Sequence, residues 1–253
     1  MLQRQRHREI LARLNAAGGV RVAELAKSLG VTEETIRRDL EKLGRAGRLI
    51  RTHGGAVPVV GMSHDLPFHV RSTAYHEEKQ RIARRALQHV SEGDVIALDA
   101  SSTVYELARI MPDIPLTVVT NALPVTAALM MRSQLRVLST GGMLDTPTRS
   151  WVGSFAERAL ERVNIHKLFL SSKGIDPERG LSEIHDAQAR VKRWMMDRAQ
   201  KTVLLIDHSK LGARSVVSVA AATEVDVVIT DASAAPEFLE GLRGMDIEVE
   251  VAE

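Results

Sequence analysis

Apolar positions recur at helical spacing three times in the first 57 residues. Ile10, Leu11 and Leu14 form one set, Val22, Leu25, Ala26 and Leu29 a second, and Ile36, Leu40 and Leu43 a third. Steps of three and four put each set on one face, so three short amphipathic helices are expected. Gly18-Gly19 and Gly30 interrupt them. Thr32 is a good N-cap, and Glu33 and Glu34 suit the positive end of the helix that follows. LIRTHGGAV then reads as two extended arms about a His53-Gly54-Gly55 turn.

The periodicity lapses over residues 58–74, where Pro58, Gly61 and Pro67 mark a linker. From about Tyr75 onward helix and strand alternate. Residues 76–91 bury Ile82, Ala83, Ala86, Leu87 and Val90 on one side, and VIAL (95–98) follows as a short apolar run. LTVV (116–119), RVLS (136–139), KLFL (167–170), TVLLI (202–206) and DVVIT (226–230) repeat that pattern, with helical stretches at 154–162 and 187–199 among them. Continuous apolar runs suit strands buried on both faces, whereas IEVEV (247–251) alternates as an edge strand would. The fold class is therefore α/β, with a mainly parallel sheet over residues 75–253 behind a small helical head at 1–57.

Within the head, two helices joined by the tight LGVT connection make a helix-turn-helix. A recognition helix places its first turns in the major groove, where arginine pairs with guanine edges. Because Ile36, Leu40 and Leu43 face inward, Thr32, Thr35, Arg37, Arg38 and Lys42 are the candidate DNA contacts. Arg51, Thr52 and His53, in the arms behind, would lie along phosphates as a wing. Charge supports this: residues 1–57 hold 12 Lys+Arg against 6 Asp+Glu, and the remainder 22 against 26. The bland alternative is a three-helix cap with solvated arginines.

Composition excludes several classes. The chain has 253 residues, 44% hydrophobic and 26% charged, as a folded protein of one large or two ordinary domains would. It has no cysteine, so disulfides, thiolate zinc sites and cysteine nucleophiles are excluded. No apolar run approaches the roughly 18 residues of a membrane span, and MLQRQRHREI lacks the apolar core of a secretory signal, so a cytoplasmic protein is expected. The nine histidines are scattered without metal-ligand spacing, and neither GxSxG nor GxxxxGK[ST] occurs.

The ends of the expected strands are polar. They carry Asp99-Ala100-Ser101-Ser102-Thr103, Thr120-Asn121, Thr140-Gly141-Gly142, Ser171-Ser172-Lys173-Gly174, Asp207-His208-Ser209-Lys210 and Thr230-Asp231. Open α/β sheets bind ligands beyond the carboxyl ends of their strands. Ser101-Ser102-Thr103 would open a helix whose N–H groups hold a phosphate. Gly141-Gly142 would let backbone approach the same anion, Lys173 and Lys210 would add charge, and Asp99 or Asp207 would accept sugar hydroxyls. Any one such loop is what strand-to-helix turns use anyway; six together favour a cleft for an anionic, hydroxyl-rich molecule.

VAELAKSLGVTEETIRRDLEKLGRAGRLIRTHGGAV resembles the winged helix-turn-helix of DeoR-type bacterial transcriptional regulators, IRRDL followed by L-x-R-x-H-G-G-A being the specific part. EEKQRIARRAL, GDVIALDASST, LTVVTNAL, STGG, FLSSKGID, LLIDHSK and DVVITD resemble, in order, the signatures of that family's C-terminal sensor domain. The resemblance implies a sensor similar to ribose-5-phosphate isomerase and glucosamine-6-phosphate deaminase that binds a phosphorylated sugar. It maps the phosphate loop to Ser101, Ser102 and Thr103, surrounded by Thr120, Asn121, Gly141, Gly142, Lys173, Gly174 and Lys210; the helix carrying Lys192 also matches. The family commonly has glycine where Ser101 stands, which matters if that position needs a positive φ. DASST, DLPFHVR and SSKGID look most like the subgroup regulating L-fucose and related operons.

The expectation is thus a sugar-responsive DNA-binding regulator, usually a repressor in this family, without catalytic residues, metal or cofactor. Its partners would be operator DNA, a phosphorylated sugar and further copies of itself, since one 57-residue head is small for tight specific binding. The competing readings are a sugar-phosphate isomerase or deaminase with a nucleic-acid-binding appendage, using Asp99, Glu183 or His185 as acid or base, and a non-specific nucleic-acid binder.

Overall fold

The computed structural model describes residues 2–17, 19–45, 49–52, 54–58 and 67–253, which fall into two compact units. The first begins with α1 (Gln3–Ala17), β1 (Val20–Arg21), α2 (Val22–Leu29) and α3 (Glu33–Arg45), and continues into β2 (Leu49–Thr52) and β3 (Gly55–Pro58). The three helices bury the expected stripes: Ile10, Leu14, Leu25, Ile36, Leu40 and Leu43 meet in one core. Gly30 ends α2 in the left-handed conformation, φ 65°, its N–H returning to the Ala26 carbonyl. The Thr32 hydroxyl accepts from the Thr35 N–H at 3.3 Å, so Thr32 is the N-cap of α3. The wing is three-stranded, in the order β1-β3-β2, because Val20-Arg21 adds an antiparallel strand that no periodicity of two residues can announce.

The stretch expected as a linker is not featureless. Pro58 belongs to β3, and Phe68–Thr73 forms a helix, α4; residues 59–66 lie outside the described residues. By compactness Phe68 belongs with the second unit and His69–Tyr75 with the first.

The second unit runs α5 (His76–Ala86), β4 (Val95–Leu98), α6 (Ser102–Arg109), β5 (Leu116–Thr120), α7 (Leu123–Leu129), β6 (Leu135–Ser139). A hairpin of β7 (Met143–Asp145) and β8 (Ser150–Val152) precedes α8 (Ser154–Leu160) and β9 (Ile165–Leu170). Then come β10 (Gly174–Asp176), β11 (Gly180–Glu183), α9 (Asp186–Arg198), β12 (Ala199–Leu205), β13 (Val217–Ala220), β14 (Val227–Asp231), α10 (Pro236–Arg243) and β15 (Glu248–Ala252). Seven strands make one sheet in the order β15-β14-β12-β9-β4-β5-β6, and every pairing in it is parallel. All seven expected strands are members, and β15 is an edge.

Alternate residues of each strand serve opposite cores. Ile96, Leu98, Val118 and Phe169 pack with α5, α6 and α7, whereas Ala97, Val119, Leu168 and Leu170 pack with α8, α9 and α10. From β4 the chain builds outward through β5 to β6, then returns across β4 to β9 and builds the other way. The strand order therefore reverses between β4 and β9, and at that point neighbouring loops diverge and leave a crevice at the carboxyl ends.

Candidate functional site

The residues expected to read DNA lie at the start of α3 and on β2, except Lys42, which is near the end of α3. Thr32, Arg37, Arg38, Lys42 and Arg51 are exposed, and Thr35 and Thr52 half-buried; His53 lies outside the described residues. Arg37 pairs with Glu33 at 2.7 Å and Arg38 with Glu34 at 3.1 Å, each one turn back. These exposed pairs hold both guanidinium groups along the first turns of the helix and are weak enough to exchange for a phosphate or base edge. Asp39, on the opposite face, is buried and bonded by Arg6 and by His7 at 2.9 Å, tying α3 to α1.

The second site is built at the reversal of strand order. The chain leaves β4 at Asp99 and β9 at Ser171, and the Asp99 carboxylate bridges them, accepting from the Ser101 N–H at 3.1 Å and the Ser171 N–H at 3.2 Å. Lys192 of α9 reaches the same point. Its buried ammonium bonds Asp99, donates to the Ser171 carbonyl at 2.6 Å, and lies 3.2 Å from Glu183 of β11. Burial alone would lower the Lys192 pKa, but Asp99 and Glu183 raise it above its ordinary value. Asp99, expected to accept sugar hydroxyls, thus spends its oxygens on the loops and on Lys192. Asp99 and Glu183, the two carboxylates of the competing enzyme reading, are both held by this one ammonium. His185 is the N-cap residue of α9.

Ser101 resolves the departure from glycine. Its φ is −90°, an ordinary extended value, and its hydroxyl accepts from the Val104 N–H at 3.2 Å. Serine is therefore unstrained and caps α6. With the Ser101 and Val104 N–H groups engaged, those of Ser102 and Thr103 remain at the positive end of the helix. Gly141 and Gly142 follow β6 with φ of 61° and 116°, backbone that side chains rarely adopt. Gly174 has a packing reason instead: a Cβ there would stand 2.1 Å from the Ala213 carbonyl oxygen. Thr120 is fully buried, its hydroxyl donating to Leu98 O at 2.6 Å. Asn121 and Trp151 bond reciprocally, Trp151 N–H to Asn121 O at 2.8 Å and Asn121 Nδ2 to Trp151 O at 3.1 Å. Lys173 is half-buried, its N–H bonded to Ser182 O.

After β12, Lys210 stands 3.4 Å from the buried Asp207 carboxylate. Burial by itself would raise the Asp207 pKa, but Lys210 and Lys79 keep it below the usual carboxylate range. Lys79, a buried lysine of α5, was not among the expected site residues. The next loop is pinned by Asp231, which accepts from the His208 N–H at 2.8 Å and meets the His208 ring at 2.9 Å. Burial opposes its ionisation, yet the His208 contacts bring it down to about 2, and Asp231 in turn raises His208. A raised histidine contributes stability fully present below 6.5 that is lost as pH rises through its folded value; the lowered Asp231 contributes above 3.8 and fails toward 2. The melting temperature of the sheet unit is therefore expected to fall as pH climbs above 6.5, and Asp231→Asn to flatten that slope in a thermal-melt series.

Several buried polar atoms at the ends of these strands have no hydrogen-bond partner: Thr103 Oγ1, Asn121 Oδ1, Ser171 Oγ, Thr230 Oγ1 and Asp207 Oδ2, the last facing the Lys210 ammonium at 3.4 Å. Unsatisfied buried groups are rare and costly, and these five come from the ends of five different strands or the helix after them. Their mixture of hydroxyl, amide and carboxylate oxygens can both donate to and accept from a polyol. Among the described residues no cluster of three His, Cys, Asp or Glu is placed to hold a metal, and no helix is long and apolar enough to cross a membrane.

Residues 6–59 match the DeoR-like helix-turn-helix domain, and residues 74–232 the DeoR C-terminal sensor domain. The chain belongs to the DeoR family of transcriptional regulators. An uncharacterised helix-turn-helix regulator of Bacillus subtilis, YulB, is 39% identical over 98% of this chain and 96% of its own. The L-fucose operon activator of Haemophilus influenzae is 38% identical over 88% of this chain and 90% of its own. Among solved structures, a ribose-5-phosphate isomerase from Methanocaldococcus jannaschii aligns over 54% of this chain and 55% of its own, with 16% identity and a TM-score of 0.40. The full-length relatives are regulators, and this DeoR-family chain is a regulator rather than an enzyme.

Proposed function

We propose that the protein is a cytoplasmic, sequence-specific repressor of a sugar-catabolic operon, at least a dimer on repeated half-sites, controlled by a phosphorylated sugar at the reversal of strand order. The observation that supports the effector reading is the row of buried oxygens without a hydrogen-bond partner at the carboxyl ends of β5, β9, β12 and β14 and on Thr103 in the first turn of α6. The helix end receives the phosphate, Lys210 and Lys173 lend charge, and the oxygens around Asn121, Asp207 and Thr230 take the hydroxyls. At the other unit, Thr35, Arg37 and Arg38 read bases while Lys42, Arg51, Thr52 and His53 hold phosphates.

The test is operator binding by fluorescence anisotropy, with and without a panel of L-fuculose 1-phosphate, glycerol 3-phosphate and fructose 6-phosphate, beside thermal melts with the same compounds. A ligand confined to the folded protein raises the melting temperature. Arg37→Ala or Arg38→Ala is expected to weaken operator binding by about 1–3 kcal/mol, and Arg51→Ala to lower the salt slope by about one. Lys210→Ala is expected to keep operator affinity and blunt the ligand response. Equal affinity for operator and random duplex, or melts unmoved by every compound, would remove this reading.

A further inference from the structure

Two separate routes lead from the strand-end site to one aromatic ring. Along the first, Thr103, whose Oγ1 is unpartnered, opens α6, and Tyr105 in the next positions of that helix meets Phe68 edge-on, ring centroids 5.4 Å apart. Along the second, Asn121 is bonded reciprocally to Trp151 of β8, and Arg149, two residues before Trp151, stacks its guanidinium 5.8 Å over the same ring. Arg149 is held in place from both sides. Its φ is 54°, a strained value for a residue with a side chain, and its carbonyl accepts from the Leu123 N–H at 3.0 Å. The Phe68 N–H bonds the Pro147 carbonyl at 2.9 Å in the same hairpin turn. Phe68 is buried, and the next residue, His69, opens the segment that clusters with the DNA-reading unit.

Beside the ring runs a cleft of about 630 Å³, walled by Tyr105, Leu123, Pro124, Ala127 and Leu144. A buried ring that borders open space has somewhere to move, and packed elements move between discrete arrangements. A shift of α6 or of the Asn121 loop by a fraction of an ångström changes which position the ring prefers.

We propose that Phe68 is the positioning residue that couples the effector site to the DNA-reading unit, by moving between its seat against Tyr105 and Arg149 and the neighbouring cleft. This deepens the proposed function and rests on it. A ligand that pulls on the first turn of α6 moves Tyr105, and one that engages Asn121 moves the hairpin that carries Arg149. Either displacement shifts Phe68, the residue before one of the points where the chain passes between the units. Coupling needs only that the ligand favour one ring position over the other.

The experiment measures three quantities on the full chain: the melting shift with the panel compound that stabilises it most, operator affinity without it, and the ratio of operator affinities with and without it. Phe68→Ala is expected to keep the first two and to lose the third, bringing a ratio of about fivefold or more close to one. Phe68→Tyr, which keeps the ring, is expected to keep the ratio. Ala127→Leu, a mild change on an exposed helical position because leucine is also a good helix former, fills the cleft from outside and is expected to lower the ratio without altering Phe68, which covers the case where Phe68→Ala fails to fold. A purely structural ring would instead lower stability and leave the ratio alone. Phe68→Ala or Ala127→Leu responding like the unaltered protein overturns the proposal, as does a loss of ligand binding in either. An unaltered protein that ignores every compound is a different result, which removes the proposed function.

Discussion

Lys192→Met is expected to destabilise the sheet-bearing unit by about 3–5 kcal/mol, read as a drop in the denaturation midpoint followed by circular dichroism. The side chains of Lys192 and Glu183 are each 7% exposed and that of Asp99 1%, so the substitution strands two carboxylates out of water with their shared cation gone. Stability of a whole domain is typically about 5–15 kcal/mol, so this is a large share. The cost should be one of unpaired charge rather than lost packing, since methionine keeps the stem. Adding Asp99→Asn and Glu183→Gln to Lys192→Met is accordingly expected to recover much of it. Recovery stays incomplete because the Asp99 carboxylate also accepts the Ser101 and Ser171 N–H groups, which an amide satisfies less well. Lys192 joins the loops on either side of the reversal of strand order, and without it the cap of α6 loses its fixed relation to β9. A midpoint unmoved by Lys192→Met would mean that the three charges are not buried together.

The strands and the site edge were legible because they carry strong, redundant signals. Each apolar run of four or five residues is flanked by polar turn residues, and a sheet buried on both faces admits no other reading of six such runs. The buried charges that escaped notice share one physical feature, each being a charged residue placed on the apolar stripe of an amphipathic helix. Lys79 sits three and four positions before Ile82 and Ala83, and Lys192 three and four before Met195 and Met196. Asp39 lies between Ile36 and Leu43 on α3. All three are buried; Asp39 and Lys192 pair with opposite charges far away in sequence, and the Lys79 charge lowers the pKa of the distant Asp207. Periodicity places them inside, but nothing local says which partner neutralises them, so a charge count files them with the solvated surface. A buried-stripe lysine or aspartate is itself the signal. The short antiparallel pieces β7, β8, β10, β11 and β13 escaped for another reason: at three or four residues with mixed polarity they carry no period. Helix α4 is similar, six residues in which Phe68 is the buried one.

Asp39→Ala is the counterpart in the DNA-reading unit, with an expected loss of about 3–5 kcal/mol. The Asp39 side chain is 2% exposed and that of Arg6 11%, so removing the carboxylate takes from a buried guanidinium the charge it is bonded to. A domain of about 60 residues buries a smaller fraction of its surface than a larger one and is marginal to begin with. The consequence is a melt split in two, with an early transition for the helical unit and an unmoved one for the sheet unit. Operator binding should vanish across the same temperature range as the early step. Replacing both partners, Arg6→Leu with Asp39→Leu, is expected to restore most of the stability, since an apolar pair needs no desolvation of charge. Acid provides an independent check. Burial alone would raise the Asp39 carboxyl, but the Arg6 and His7 bonds hold it below its ordinary 3.8. Its contribution is therefore complete above 3.8 and fails as pH drops through the lowered folded value, so the early transition of the unaltered protein should appear on acidification, while the double-leucine variant should lack that step. A single, unshifted melt for Asp39→Ala would show that α1 and α3 are held by their shared apolar core alone.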